Sequence, residues 1–148
     1  MKKVTLTIAS ILLTGILFAQ DYTPPSSAAS AFKTKYPSGL VQEWYDNDDE
    51  IVCYFENGDN YGSAYFTVKG AWLRSEFTLS EEDMPSNVSM SVKNKYPDAE
   101  IIEVTKIENA KMTQFRVIVY NPIEESDYEV TLDNLGKIIK EENLNADN

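Results

Sequence analysis

Residues 32–37 read FKTKYP and residues 92–97 read VKNKYP, so the chain states one phrase twice, sixty positions apart. An internal repeat constrains architecture more than any single motif, because each copy marks one structural unit and neighbouring units share a core. At the same offset Glu43 matches Glu103, Phe32 lies over Val92, Val41 over Ile101 and Trp44 over Val104. A helical signal precedes each phrase. Ser26 or Ser27 is placed to cap a helix through AASAFKTK, and Asp83 to cap a second one with Pro85 in its first turn. A residue before proline is pushed out of the helical region, so Tyr36-Pro37 and Tyr96-Pro97 read as helix stops. Their tyrosines are expected to pack the helix ends onto a sheet.

After each stop the pattern changes to short runs of alternating polarity, separated by turn residues. Strands are expected at about 41–46, 51–56, 62–68 and 71–79, and again at 101–107, 112–120, 127–132 and 137–141. The expected fold class is therefore α+β, with two tandem repeats, each a helix packed on a four-stranded antiparallel meander. The boundaries follow: a leader at residues 1–19, a first repeat at 20–82 and a second at 83–148. A lone half of about 55 residues would bury only about 60% of its unfolded surface, so the halves are expected to join their sheets or cores.

The leader has Lys2 and Lys3, an apolar run from Val4 to Phe18 and a small residue at Ala19, which is the layout of a secretory signal peptide. Leu17 stands where a small residue is usual two positions before cleavage. No other run approaches the roughly 20 apolar residues that a bilayer requires, so no membrane insertion is expected after cleavage, and the location is the periplasm or beyond. Losing two lysines takes the formal charge from -11 to -13. Nucleic acid is a poor partner for such a surface. The single cysteine, Cys53, lies within the strand run EIVCYF and cannot form an internal disulfide, so it reads as a small buried hydrophobe.

The chain has no histidine, which removes the commonest general base and every imidazole-based triad or metal site. No phosphate-cradling glycine loop is present. The run DNDDE at 46–50 offers Asp46, Asp48 and Glu50 at alternate positions that suit calcium, but it lacks the EF-hand glycine and distal glutamate and falls where a hairpin turn is needed. A glycosidase-like carboxylate pair remains open, with no one pair favoured among the 24 acids. No cofactor and no catalytic or metal site is assigned.

Strand alternation sorts the aromatics by face. Ile51, Cys53 and Phe55, then Ala64, Phe66 and Val68, then Leu73, Phe77 and Leu79 point toward the helix. Tyr54, Tyr65 and Trp72 point away, with Arg74 beside them. These types are enriched at binding hot spots, so the four are candidate partner contacts, unless the other half or a loop covers them and makes them core. Trp44, whose repeat partner Val104 sits with Ile102 on an apolar parity, is expected to be buried. In the second half the outward set Gln114, Arg116, Ile118 and Tyr120 is more polar.

The ordered set of Trp44, Gly70 with Trp72 and Leu73, Met84-Pro85, Lys95-Tyr96-Pro97, and Tyr128, Val130 and Leu132 before Gly136 resembles the PepSY-like, β-lactamase-inhibitor-like family. These are exported bacterial proteins common in Bacteroidetes. The resemblance implies helical structure packed on four-stranded sheets, and protein binding or inhibition of a peptidase or other envelope enzyme. The inhibitor that lends the family its name uses a hairpin loop with an acidic residue beside an aromatic one. Here the comparable loop NGDNYG holds Asp59 and Tyr61 separated by Asn60, so both join the candidate contacts, while Asn57 and Gly58 account for the turn without a partner. Residues and resemblance together predict an exported, monomeric, non-enzymatic module that binds a protein or peptide through its sheet face. The alternatives are a small-ligand or calcium-binding protein and a carboxylate-pair hydrolase.

Overall fold

A computed structural model of the chain describes residues 22–146, and the expected leader lies outside them. Two ten-residue helices form, α1 (Ser26–Lys35) and α2 (Ser86–Lys95). Pro25 and Pro85 stand at their N-termini with φ of -54°, and neither helix has a side-chain cap. Proline sets the entry angle at no cost in lost donors, because the first N–H groups of a helix lack internal partners anyway. The expected caps at Ser26, Ser27 and Asp83 therefore do not form. Asp83 instead closes a short 3-10 turn, where its N–H donates to Ser80 Oγ at 3.3 Å and its carboxylate accepts from that hydroxyl at 2.7 Å. Both helices end at the tyrosine before proline, whose N–H donates to the carbonyl of Phe32 or Val92.

The strands are β1 (Leu40–Asn47), β2 (Glu50–Asn57), β3 (Asn60–Thr67), β4 (Trp72–Leu79), β5 (Glu100–Asn109), β6 (Thr113–Asn121), β7 (Ser126–Asp133) and β8 (Ile138–Asn143). Every sequential pair is antiparallel, in the spatial order β1 to β8. This corrects the expected fold class. The chain is not two tandem α+β units, each a helix on its own four-stranded meander; the described residues form one eight-stranded sheet with two short helices, mostly β. The joint is β4 to β5, where Arg74–Leu79 pairs with Val104–Asn109. Separate halves would expose two edges of unpaired backbone groups at this point, and the pairing satisfies both rows.

Both helices lie on one face of the sheet. Ala28 and Phe32 of α1 pack with Ile51, Cys53, Phe55, Ala64, Phe66 and Phe77, while Val88 and Val92 of α2 pack with Val104, Phe115, Val117, Val130 and Leu132. Leu79 touches both clusters and makes the core continuous. Trp44, expected to be buried, is half-buried and packs against the first cluster, edge-on to Phe32 at 5.8 Å. Val68, expected in the core, is exposed, because β3 ends at Thr67 and the chain turns there. Four bulges interrupt the ladders, at Gln42, Leu73, Ile102 and Ile139.

Cys53 is completely buried, and burial pushes its thiol up from 9.0 to about 12. The unfolded thiol releases its proton first, so this contribution to stability is whole below pH 9 and is lost as pH rises toward 12. Denaturant midpoints are expected to fall across that window, with a shallower slope in Cys53→Ala. At pH 8 an aromatic disulfide reagent is expected to label the thiol only after unfolding. Labelling of the native protein at the unfolded rate would contradict the burial.

The helix-free face as candidate functional site

Among the described residues the opposite face of the sheet carries no helix, and its side chains are set by register. Val52 lies between Tyr45 of β1 and Tyr65 of β3, and Tyr65 is followed by Arg74 of β4. Val52 is fully buried on this face, although it points away from the helices. Tyr45 and Tyr54 stack with ring centroids 5.3 Å apart. The Arg74 guanidinium lies 3.7 Å from the Tyr65 ring centroid. Its Nη1 and Nη2 donate to the two oxygens of Glu50 at 2.7 and 3.1 Å, and its Nε donates to Glu76 at 2.9 Å. The second oxygen of Glu76 accepts from Arg116 Nη2 of β6 at 3.1 Å. One carboxylate thus ties together Arg74 of β4 and Arg116 of β6, across the β4–β5 joint.

Burial pulls the Arg74 pKa down, and the hydrogen bonds and charges of Glu50 and Glu76 more than reverse it, leaving it raised. Burial also raises the Tyr65 phenol, and Glu76 adds to this against the opposing Arg74 charge. The network fixes this part of the face, since a planar guanidinium held on two sides has one orientation. Arg74→Met is expected to cost about 1 kcal/mol of unfolding free energy, a figure kept small by partial exposure and solvent screening. Urea titration in low and high salt measures it, and a loss above about 3 kcal/mol would show a more deeply buried network.

Beside this network the face dips into a hollow of about 280 Å³, walled by Tyr54, Tyr61, Ser63, Glu76, Glu103 and Arg116. Tyr54 is 46% exposed and Tyr61 is 65% exposed. Thr105 is buried at its floor and donates its hydroxyl to Glu103 at 2.9 Å.

The candidate contacts divide into four groups. Tyr54 and Tyr61 line the hollow, and Tyr65 with Arg74 forms the rigid network next to it. Asp59 sits exposed at the tip of the β2–β3 hairpin, beyond the hollow. Trp72 is on the other face. The bulge at Leu73 shifts the register so that Trp72 pairs with Phe66 and packs on the α1 core. There its Nε1 donates to Ser75 Oγ at 3.0 Å, the same oxygen that accepts from the Tyr36 hydroxyl at 2.7 Å, and Lys35 Nζ lies 3.7 Å from its ring centroid. Trp72 is therefore a structural residue that locks the end of α1.

Local alternation did not predict the contributions of Tyr45, Glu103 and Thr105. Alternation places Arg116 outward, but its position beside Glu76 depends on the β4–β5 pairing. The acidic run at 46–50 is the β1–β2 hairpin, with Asp48 at φ 56° in a two-residue turn. Among the described residues no group of three or more histidine, cysteine, aspartate or glutamate side chains is arranged to hold a metal ion.

Among the described residues, an antiparallel sheet backed by helices on one face defines the class as a sheet-scaffold module. Residues 49–140 match the family described as "Putative beta-lactamase-inhibitor-like, PepSY-like". This is more than half of the chain, and the chain belongs to that family. Among solved structures, a DUF2874 family protein from Bacteroides ovatus is 23% identical, with 83% of this chain and 89% of that one covered and a TM-score of 0.75. A BLIP-like protein from Bacteroides fragilis is 18% identical, over 83% and 88% of the two chains, with a TM-score of 0.76. A structure from Bacteroides eggerthii described as "putative periplasmic proteins" is 17% identical, over 83% and 91%, with a TM-score of 0.73. These likenesses share the fold. No curated protein matches. Among the described residues no helix is long and apolar enough to cross a membrane.

Proposed function

We propose that the chain is an exported, non-enzymatic binding module that engages a protein or peptide in the periplasm or outside the cell through its helix-free sheet face. Binding would occlude the partner's surface, and an envelope peptidase or other envelope enzyme restrained in this way is the reading the family membership favours. The observation that carries the proposal is the exposure of Tyr54 and Tyr61 around a hollow on a face that no helix of the described residues covers. Exposed aromatics beside a braced guanidinium are suited to a binding surface, because anchors held rigid lose little entropy on association. The acidic surface steers a basic partner. The monomer presents the face unaided.

The experiment is affinity capture from a Bacteroides envelope extract with three baits: the wild type, a Tyr54→Ala, Tyr61→Ala double variant, and Met90→Ala on the exposed side of α2. A protein held by the wild type and by Met90→Ala but lost from the double variant supports the reading. A protein held equally by all three contradicts it.

A further inference from the structure

Resting on the reading just given, we propose that the hollow between Tyr54, Tyr61 and Glu103 is a socket for one cationic side chain, a lysine or an arginine, projecting from the partner. At about 280 Å³ the hollow is at or below the small end of ligand pockets, so it suits a side chain and not a whole element of structure. Its rim offers two tyrosine rings, which can take the aliphatic stem of a long basic residue and attract its charge.

The charges decide between occupants. Glu76 is already claimed, since it accepts from both Arg74 and Arg116. Glu103 accepts only the Thr105 hydroxyl among the described residues, and no lysine or arginine of those residues reaches it within ion-pair distance. The hollow thus holds two carboxylates and one lining guanidinium, a surplus of one negative charge. An acidic occupant would be repelled, and an apolar one would strip water from Glu103 without replacing it, which is costly. A cation satisfies Glu103 and stacks on the tyrosines at once.

The face already contains one assembly of this kind. Arg74 rests 3.7 Å from the Tyr65 ring centroid and is hydrogen-bonded to Glu50 and Glu76. The hollow repeats the aromatic and carboxylate parts of that arrangement, and its lining guanidinium, Arg116, is bonded to Glu76, so Glu103 is left without a cation among the described residues. The formal charge of -11 draws a basic segment toward the face before contact.

The test is a titration of nitrogen-15-labelled protein, followed by amide NMR, with N-acetyl-arginine methylamide, N-acetyl-lysine methylamide and the apolar control N-acetyl-norleucine methylamide. It is repeated with Glu103→Gln, whose amide oxygen keeps the bond from Thr105 while the charge is removed. Saturable shifts at Tyr54, Tyr61, Ser63 and Thr105 with a cationic compound, at least five-fold weaker for norleucine and at least five-fold weaker in the variant, support the socket. No saturable shift at these residues, an equal response to norleucine, or unchanged affinity in Glu103→Gln overturns it. Capture separates the two readings. If the partner is lost from the Tyr54 and Tyr61 double variant but retained fully by Glu103→Gln, the open face binds and the cation socket is wrong. A partner retained by both variants removes the face reading itself.

Discussion

Gly70→Ala is expected to lower the unfolding free energy by about 3 kcal/mol or more and the melting temperature by about 10 °C. Gly70 ends the β3–β4 hairpin at φ 85°, where its N–H donates to the Thr67 carbonyl at 2.7 Å. A side chain in that backbone region costs on the order of 1–2 kcal/mol by itself. The larger cost is contact. A Cβ at Gly70 would stand 2.3 Å from Ser27 Oγ and 2.5 Å from the backbone nitrogen of Ala28 in the first turn of α1. The serine oxygen can rotate aside, but the helix backbone can yield only if α1 lifts from the sheet, and Ala28 and Phe32 would then leave the core. Gly58→Ala is the control, since φ is 66° there and nothing lies within 4 Å of the added carbon. It should lose only the backbone part, about 1 kcal/mol. Thermal unfolding followed by circular dichroism distinguishes them, and equal losses at the two positions would contradict the close helix-to-hairpin contact.

The Tyr54→Ala, Tyr61→Ala variant is expected to weaken binding of the captured partner by about 100-fold or more, because truncating each anchor of a hot spot costs about 2 kcal/mol. Its stability should change far less. Both rings are substantially exposed, and the main intramolecular loss is the stacking of Tyr54 on Tyr45. That asymmetry separates a binding residue from a core residue. Phe32→Ala, which removes a ring in contact with Tyr36, Trp44 and Phe55, should show the reverse pattern, a loss of about 3–5 kcal/mol in stability. Titration calorimetry against the partner, read beside urea midpoints, measures both quantities. A double variant that loses stability like Phe32→Ala while binding normally would return the tyrosines to a structural role.

Much of the local structure was legible because it is written in adjacent residues. The two Tyr-Pro steps end the helices where the backbone restriction on the residue before proline requires. The alternation in EIVCYF placed Ile51, Cys53 and Phe55 under α1. Two kinds of information were missing. One extra residue at Leu73 inverts the parity of what precedes it, so Trp72 moved from the expected binding stripe to the helix side. A bulge leaves no fixed mark on polarity, so alternation alone missed it. The β4–β5 pairing joins segments separated by a turn and the whole of α2, and period-two patterning says nothing about which strands meet. The expected two tandem repeats left open whether their sheets or only their cores join, and the continuous eight-stranded sheet overturns them at this pairing, which alone makes Glu103, Thr105 and Arg116 neighbours of Tyr54. Sequence therefore marked half of the hollow and left the other half to topology.

The most direct test of the central claim is hydroxyl-radical footprinting of the protein alone and in complex with the captured partner, read by mass spectrometry at single side chains. Binding through the helix-free face predicts strong protection of Tyr54 and Tyr61 in the complex, with oxidation unchanged at Met90 on α2 and Leu135 in the β7–β8 turn. Protection of Met90 with Tyr54 and Tyr61 oxidised as in the free protein would place the partner on the helix side and contradict the account.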